Sequence, residues 1–366
     1  IRLCDDIIDR HAGMGAVAQA FEDAFSISTG ETSKDGAVSL EYTPCIGLCD
    51  QAPAAMVDNV VLTRLTPERA RDIANRLQSG ASAEDLISHR FKELTPYERA
   101  TRMVENNIRH AGAVLLGPVP ADAGLRTALD LAPRRIIDQI EASGLRGCGG
   151  AGFSTGRKWR FAAQTEAERR IVICNADEGE PGTFKDRVLL TERPHLRVEG
   201  MTIAARAIGA DEGIIYLRGE YAYLLELLET VLEDRRSRGL LGKSILGEIA
   251  FDFDIRILLG AGAYICGEDG ALISSCEGLP GEPKTRPPYP VTHGYLGRPT
   301  VVNNVETFCH AARILDRGAQ WFFDMGRDGN HGTKLFSVSG DCLNPGIYEL
   351  PYGLSVTEVL EMASAE

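Results

Sequence analysis

Size, composition and charge narrow the kinds of protein that this sequence of 366 residues can encode. Hydrophobic residues make up 44% of it and charged residues 25%, which is ordinary for a folded protein of two or three domains and favours neither a disordered nor a fibrous chain. The formal charge of −13 disfavours a nucleic-acid or acidic-membrane binder, and no apolar run is long enough to span a bilayer.

The cysteines indicate a reducing compartment. There are nine, an odd number, spread along a long chain without a secretion signal, which favours a cytoplasmic protein over one with a disulfide framework. Only Cys4, Cys45 and Cys49 have a spacing that suggests metal ligation. Five others are expected to be packing residues: Cys174, Cys266, Cys276, Cys309 and Cys342.

Residues 1–80 predict a small α/β unit, expected to be incomplete at its N-terminus because the chain does not begin with Met. A helical pattern over 15–25 follows a short apolar start. A hairpin is predicted next, in which 37–42 and 56–62 flank the loop that carries Cys45 and Cys49.

A capped helix and a charged stretch follow. Thr66 and Pro67 are typical of a helix start, with Thr as the cap and Pro in the first turn. Residues 81–111 are charged and helix-prone, which predicts a helical linker.

Residues 112–332 predict a layered α/β domain, because apolar strands alternate with helical stretches. The predicted strands are 170–174, 213–217 and 254–259. Residues 333–366 predict a third unit with strands over 334–339 and 347–350 and a helix over 357–363.

The segment richest in glycine is GLRGCGGAGFSTGRKW, residues 144–159. Three glycines satisfy the pattern G-x-G-x-x-G: Gly147, Gly149 and Gly152. Such glycines let the backbone approach a phosphate, and the N-terminus of a following helix adds donors. Arg157 stands where a P-loop requires Lys, and the helical stretch 133–142 precedes the loop where a Rossmann turn requires a strand. A glycine-rich turn without a ligand stays open on this segment alone.

Three further loops place polar side chains directly after predicted strands or contain paired amides. They are NADEGEPGTFKDR at 175–187, GAGAYICGED at 260–269 and VVNNVET at 301–307. Open α/β sheets bind ligands at the carboxyl ends of their strands. One acidic loop would be read as solvated caps, but three such loops with a glycine cradle indicate a cofactor site.

At these residues the sequence resembles the flavoprotein subunit of respiratory complex I and its relatives, from about residue 112 to the end. The specific segments are GLRGCGGAGFSTGRKW, NADEGEPGTFKDR, YLRGEY, GAGAYICGE and NNVETF. Residues 1–80 resemble the thioredoxin-like part of the partner [2Fe–2S] subunit through TPCIGLCDQAP, residues 43–53. The fusion of both parts is the arrangement of the diaphorase subunit of bidirectional NAD-reducing [NiFe] hydrogenases.

The resemblance implies the fold class and the cofactors. The fold would be α/β, with a thioredoxin-like N-terminal domain, a complex I-type FMN-binding domain and the start of a ubiquitin-like β-grasp domain. FMN would be held by Gly147, Gly149, Lys158, Asn175, Asp177, Tyr264, Gly267, Glu268, Asn303 and Asn304. NAD(H) would contact Phe153, Phe161, Glu180, Asp269, Arg286 and Tyr289.

The resemblance also implies roles for these positions. Lys158 would neutralise phosphate or ring charge, and Phe153 and Phe161 would stack on the dinucleotide. Glu180 would meet an adenosine ribose hydroxyl and repel a 2′-phosphate, which favours NAD(H) over NADP(H).

Four positions depart from the family pattern. Cys148 stands where complex I has Arg, and Asp269 replaces the usual Glu after Glu268. Arg286 and Tyr289 stand where Lys and Phe are common. We expect these changes to alter affinity rather than abolish function.

The iron–sulfur equipment is the open question. A [2Fe–2S] cluster of this type takes four thiolates, as C-x4-C followed by C-x3-C. Cys45 and Cys49 fit the second pair and Cys4 the first ligand, but Asp9 stands at the position of the second ligand. Ligation by Asp, substitution by an upstream cysteine, and a weakened or absent cluster all stay open.

The C-terminal [4Fe–4S] site of the family uses a C-x-x-C-x-x-C run that this sequence lacks. Because the chain ends inside the third unit, we expect that site beyond residue 366. Four scattered histidines are expected to have structural or surface roles: His11, His110, His293 and His310.

The predicted function is reversible hydride transfer between NAD(H) and FMN, then electron transfer to iron–sulfur clusters coupled to hydrogen oxidation or evolution. Since the flavin does the chemistry, no catalytic side chain is required. Glu268 and Asp269 would orient the reactants and tune the redox properties of the flavin. The expected partners are an iron–sulfur electron-transfer subunit and hydrogenase subunits in a hetero-oligomer, without nucleic acid or a membrane span. The alternatives are the beta subunit of an NAD-dependent formate dehydrogenase, a complex I flavoprotein subunit, and a catalytically degenerate docking scaffold.

Overall fold

The computed structural model describes residues 1–248 and 250–365, which contain three β-sheets. The first sheet forms within the N-terminal unit and has the strand order β2-β3-β1-β4-β5. Its strands are β1 (Arg2–Cys4), β2 (Glu31–Thr32), β3 (Ser39–Thr43), β4 (Ala55–Val57) and β5 (Val60–Leu62). Its helices are α1 (Ile7–His11), α2 (Met14–Phe25) and α3 (Pro67–Gln78).

The predicted hairpin between 37–42 and 56–62 is wrong. β1 lies between β3 and β4, parallel to the former and antiparallel to the latter, so the two predicted partners never pair. The segment 56–62 instead turns on itself as the β4–β5 hairpin through Asp58, whose φ is +53°. The apolar start of the chain takes the central place because Leu3 and Cys4 are buried. The loop from β3 to β4 therefore crosses the end of β1, where Cys4 lies.

The linker predicted over 81–111 is only partly helical. α4 (Pro96–Met103) begins with a capping box in which Thr95 and Glu98 bond each other's backbone N–H groups. β6 (Ile108–His110) then joins the C-terminal sheet instead of continuing the linker.

The second sheet is wholly parallel, with the order β10-β7-β8-β9. Its strands are β7 (Ile171–Ala176), β8 (Glu212–Leu217), β9 (Asp254–Leu259) and β10 (Thr300–Asn304). The helices of this region are α5 (Ala123–Leu129), α6 (Pro133–Ala142), α7 (Thr155–Gln164), α8 (Lys185–Glu192), α9 (Pro194–Ile208), α10 (Leu225–Ser237), α11 (Asp269–Cys276), α12 (Pro290–His293), α13 (Val305–Arg317) and α14 (Ala319–Phe323).

Helices cover both faces of this sheet, which confirms the predicted layered α/β class. Val172 and Cys174 of β7 point into the large core that α9 and α13 share. Ile171 and Ile173 point the other way, towards Leu272 of α11. Because both faces are buried, the strands read as continuous apolar runs.

The third sheet has the order β11-β12-β6, with β11 (Thr333–Val338) antiparallel and β6 parallel to β12 (Gly346–Pro351). α15 (Val356–Ala363) packs on it. The fully buried Glu349 of β12 accepts backbone N–H bonds from Val114 and Leu115 at 2.9 Å and from Leu116 at 2.8 Å. These bonds fix the third sheet against the domain that contains the parallel sheet.

Among residues 1–248 and 250–365, no helix combines the length and the apolar character needed to cross a membrane.

Candidate functional site

A cleft of about 590 Å³ opens at the carboxyl ends of β7 and β10, a volume in the range of small-molecule and cofactor sites. A smaller hollow of about 100 Å³ adjoins it through shared residues. The larger cleft is lined by seven of the positions predicted for FMN: Gly149, Asn175, Asp177, Tyr264, Gly267, Glu268 and Asn304. The smaller one adds the remaining three: Gly147, Lys158 and Asn303. The structure thus brings all ten residues together, although they come from four separate loops.

The glycine-rich loop is a closed hairpin-like turn between α6 and α7. The Gly147 N–H donates to the carbonyl of Phe153 at 2.9 Å, and the Thr155 N–H to that of Leu145 at 3.0 Å. Gly150 and Gly152 have φ of +109° and +62°, a conformation that favours glycine. α7 starts directly after the loop with Ser154 as its cap. A backbone that curls in this way before a helix N-terminus suits an anionic ligand.

Positive charge and amides line the floor of the smaller hollow. The Lys158 ammonium donates to the Val302 carbonyl at 2.9 Å and lies 3.7 Å from the Asp269 carboxylate. Asn303 accepts from the Trp159 indole N–H at 2.9 Å, and the Asn304 amide donates to Asp186 at 2.5 Å. The asparagine pair is therefore held rigidly by its own neighbours.

Asp177 lines the larger cleft and has an unsatisfied acceptor. Its Oδ2 is buried without a hydrogen-bond partner, while its backbone N–H donates to Asn175 at 3.1 Å. Burial raises the pKa of Asp177 to about 6, against the opposing effect of Arg218. An orphaned acceptor in a cleft fits a ligand that donates a hydroxyl or N–H, as the ribityl chain or the ring of a flavin can. The residues present thus fit FMN.

The positions predicted for NAD(H) are only partly brought together. Glu180 lines the larger cleft and accepts from the Tyr264 hydroxyl at 2.6 Å. Phe153 and Asp269 line the smaller hollow. Arg286 lines a separate hollow of about 480 Å³.

The other two aromatic positions, Phe161 and Tyr289, lie outside these hollows and are 42% and 55% exposed. All the NAD(H) assignments stay predictions.

Glu268 has a structural task beside its predicted one. Its Oε2 accepts the Gly270 and Ala271 N–H groups at 2.8 and 2.9 Å as the cap of α11, and its Oε1 pairs with Arg286. This engagement holds the carboxylate in one orientation at the edge of the cleft.

A buried charge network in the wall of the larger cleft is not among the features predicted from the sequence. The Lys185 ammonium bonds Asp186 at 2.7 Å and Asn304 at 3.1 Å, and lies 3.1 Å from Glu306. Burial alone would lower the pKa of Lys185, but the carboxylates of Asp186, Glu306 and Glu178 raise it well above its usual value. The segment FKDR, residues 184–187, contains two members of this network, Lys185 and Asp186. The sequence did not predict that they are buried, because acidic residues after a strand are equally typical of solvated caps.

Two other features of the cleft had no local signal. Residues 334–337 of β11 line it, so the third unit contributes a wall. The Cys148 thiol lies 3.8 Å from Nδ1 of the buried His310. The backbone N–H of Cys148 donates to the Thr307 hydroxyl at 2.9 Å.

Three thiols and two carboxylates converge in the N-terminal unit. The Cys45 and Cys49 sulfurs are 3.4 Å apart, and Cys4 lies against Cys45. The Asp6 carboxylate lies 3.1 Å from the Cys49 sulfur, and Asp9 is fully buried beside Cys4. Soft thiolates in an enclosed site fit an iron–sulfur cluster.

The two sites touch each other. Arg218 donates to the carbonyl of Cys45 at 2.7 Å and also to that of Glu178, which lines the larger cleft. Tyr221 donates to the Glu178 carboxylate at 2.9 Å and presses on Gly47, where an added Cβ would lie 2.2 Å from its hydroxyl. The loop that carries Cys45 and Cys49, here called the cysteine loop, therefore contacts the wall of the larger cleft, which we call the flavin cleft from here on.

Comparisons with known proteins agree with this two-site layout. The family model described as Nuo51 FMN-binding domain matches residues 140–313, and that described as thioredoxin-like [2Fe-2S] ferredoxin matches residues 1–78.

Among curated relatives, the NAD-reducing hydrogenase HoxS subunit alpha of Cupriavidus necator is 50% identical over 366 residues, 100% of this chain and 61% of that protein. An NADH-quinone oxidoreductase subunit of Aquifex aeolicus is 50% identical over 236 residues, 64% of this chain and 55% of that protein. A crystal structure of NAD+-reducing [NiFe]-hydrogenase in the H2-reduced state matches with a TM-score of 0.90 and 44% identity, over 100% of this chain and 60% of that chain. The chain thus spans about three fifths of the relatives that match it throughout.

Proposed function

This chain belongs to the flavoprotein family that includes the alpha subunit of NAD-reducing hydrogenase, and we propose that it is the NAD(H)-oxidising, FMN-bearing electron-entry module of such an enzyme. The module exchanges a hydride reversibly with NAD(H) and passes electrons on to iron–sulfur clusters. FMN, when bound, supplies the hydride chemistry. The partners in this proposal are hydrogenase and iron–sulfur subunits of a hetero-oligomer in the cytoplasm.

The observation that carries the proposal is the cleft in which all predicted FMN positions meet beside an orphaned Asp177 oxygen. In this site Lys158 places positive charge beside the glycine loop, and Asp177 accepts a hydrogen bond from the ligand. Glu180 stands at the mouth, where a carboxylate repels a 2′-phosphate and so selects NAD(H). Phe153 offers an exposed ring for stacking, 45% of it accessible.

The relatives favour a hydrogenase subunit over a complex I subunit. The match to the hydrogenase alpha subunit runs over 100% of the chain, whereas that to the NADH-quinone oxidoreductase protein covers 64%. The match to the hydrogenase subunit therefore includes the N-terminal unit, where the three thiols of this chain lie.

The double variant Phe153→Ala, Glu180→Gln tests the nucleotide site. Loss of one aromatic face and one charged hydrogen bond should weaken NADH binding roughly thirtyfold or more while FMN stays bound. The measurement is the NADH concentration needed to bleach the flavin absorbance of the purified chain. The matched control is Tyr97→Ala, Glu229→Gln, which removes an exposed aromatic ring and an exposed carboxylate far from the cleft. Unchanged NADH affinity in the test variant refutes the assignment of these two residues, and a chain that takes up no FMN refutes the function.

A further inference from the structure

The three thiols of the N-terminal unit leave one ligand position open. A [2Fe–2S] core takes four protein ligands, and Cys4, Cys45 and Cys49 supply three. Within the described part of the chain, the remaining ligating groups beside these thiols are the carboxylates of Asp6 and Asp9. The question is which of them completes the set.

Asp9 has the geometry of an unused ligand. Its side chain is fully buried, and its Oδ1 accepts the Ala54 N–H at 2.7 Å. Its Oδ2 is buried with no hydrogen-bond partner. The Cys4 thiol and not a basic side chain lies against it. A buried carboxylate oxygen without a counter-charge is costly, and a cation bound beside it would remove that cost.

Asp6 is the competing candidate, because its carboxylate and the Cys45 and Cys49 sulfurs lie within 4.8 Å of one another. Its Oδ1 accepts the Ile7 N–H at 2.7 Å as the cap of α1. Its Oδ2 accepts from the Cys49 thiol at 3.1 Å, so both of its oxygens have partners. Asp6 lies against Cys45 and Cys49, whereas Asp9 lies against Cys4.

The sequence spacing points to the same residue. The family pattern places the partner of Cys4 five residues further on, and that residue is Asp9. In the structure Cys4 contacts both Cys45 and Asp9. Iron(III) accepts oxygen ligands as well as thiolates.

We infer that Asp9 Oδ2 is the fourth protein ligand of this cluster, so that three thiolates and one carboxylate hold the two irons. Cluster binding then releases a proton from each of the three thiols, while Asp9 enters as the carboxylate. The positive [2Fe–2S] core supplies the counter-charge that the buried oxygen lacks. The inference deepens the proposed electron-entry function, because the cluster lies beside the wall of the flavin cleft.

The test uses the full chain, purified without oxygen, with iron and FMN counted per chain and electron paramagnetic resonance recorded after dithionite reduction. Wild type should hold about two irons in this site. Asp9→Cys should keep them and shift the resonance to that of an all-thiolate cluster. Asp9→Asn should lose cluster iron roughly tenfold or more, and the matched variant Asp6→Asn should keep it.

FMN content separates ligand loss from misfolding, because each variant should retain wild-type FMN per chain and NADH bleaching. Those two readouts also test the proposed function independently of the cluster. A wild-type chain without cluster iron, an Asp9→Asn variant with an unchanged cluster, or loss of iron in Asp6→Asn alone each overturns the inference.

Discussion

Asp50 and Arg187 form an ion pair between the cysteine loop and the first turn of α8, and both side chains are fully buried. The Arg187 guanidinium donates to both Asp50 oxygens, at 3.0 and 3.1 Å, and to the Glu105 carbonyl at 3.1 Å. Asn107 also donates to Asp50 at 2.8 Å. We predict that Asp50→Ala destabilises the seating of the N-terminal unit on the flavin domain, because it leaves a buried guanidinium without its counter-charge.

The magnitude follows from the geometry. Two unit charges about 3 Å apart attract by about 5 kcal/mol at an effective dielectric constant of about 20, and breaking one side of a buried pair costs about 3–5 kcal/mol. Arg187→Met should cost a similar amount, because it orphans Asp50. The double variant should cost about 2–3 kcal/mol less than the sum of the two, since neither charge is then left alone.

Urea unfolding, followed with two probes, measures the free energy of unfolding of these variants. Both tryptophans, Trp159 and Trp321, lie in the flavin domain, so fluorescence follows that domain while far-ultraviolet circular dichroism follows the whole chain. Glu93→Ala is the control, because it breaks an exposed pair with Arg90 and should change the unfolding free energy by no more than about 0.5 kcal/mol. A change below about 1 kcal/mol in Asp50→Ala would refute the reasoning.

Two further predictions concern a buried carboxylate and a buried glycine. Burial raises the pKa of Glu199 to about 7, so its stabilising contribution is full below about pH 4.5 and is lost as the pH rises through 7. Glu199→Gln should remove that loss, so that the free energy of unfolding of the variant gains up to about 3 kcal/mol relative to wild type between pH 5 and 8. Urea titrations across this pH range measure the difference. A pH dependence of the unfolding free energy that is unchanged in the variant contradicts the prediction. Gly47→Ala should cost about 2–4 kcal/mol and lower cluster iron, because its φ is +75° and the new Cβ would meet Tyr221. Gly36→Ala is the control, because Gly36 has a φ of +72° but an added Cβ there meets no other atom. It should therefore show only the backbone cost of about 1 kcal/mol. Equal effects of Gly47→Ala and Gly36→Ala on stability count against the Tyr221 contact.

The flavin cleft was the most predictable part of the molecule. Strand periodicity located β7 and β9 to within two residues, and the loops that follow them carry Asp177 and Glu268. Because the carboxyl ends of parallel strands meet at one edge, loops far apart in sequence had to converge there. The prediction of a hairpin in the N-terminal unit was wrong, because local alternation shows that a segment is extended but not which strand lies beside it.

Residue types and their order determined the glycine cradle, the polar loops after the strands and the three thiols, because these depend on local backbone freedom and on spacing along the chain. Only the tertiary structure decided that β1 enters the middle of its sheet, that Lys185 bonds Asn304 across 119 residues of sequence, and that Arg218 joins the cysteine loop to the flavin cleft. It also decided that the Asp9 carboxylate, and not that of Asp6, is left with a free oxygen beside Cys4. Such partnerships are set by which buried groups find a counter-charge or a donor once the layers have packed, and no local pattern encodes that outcome.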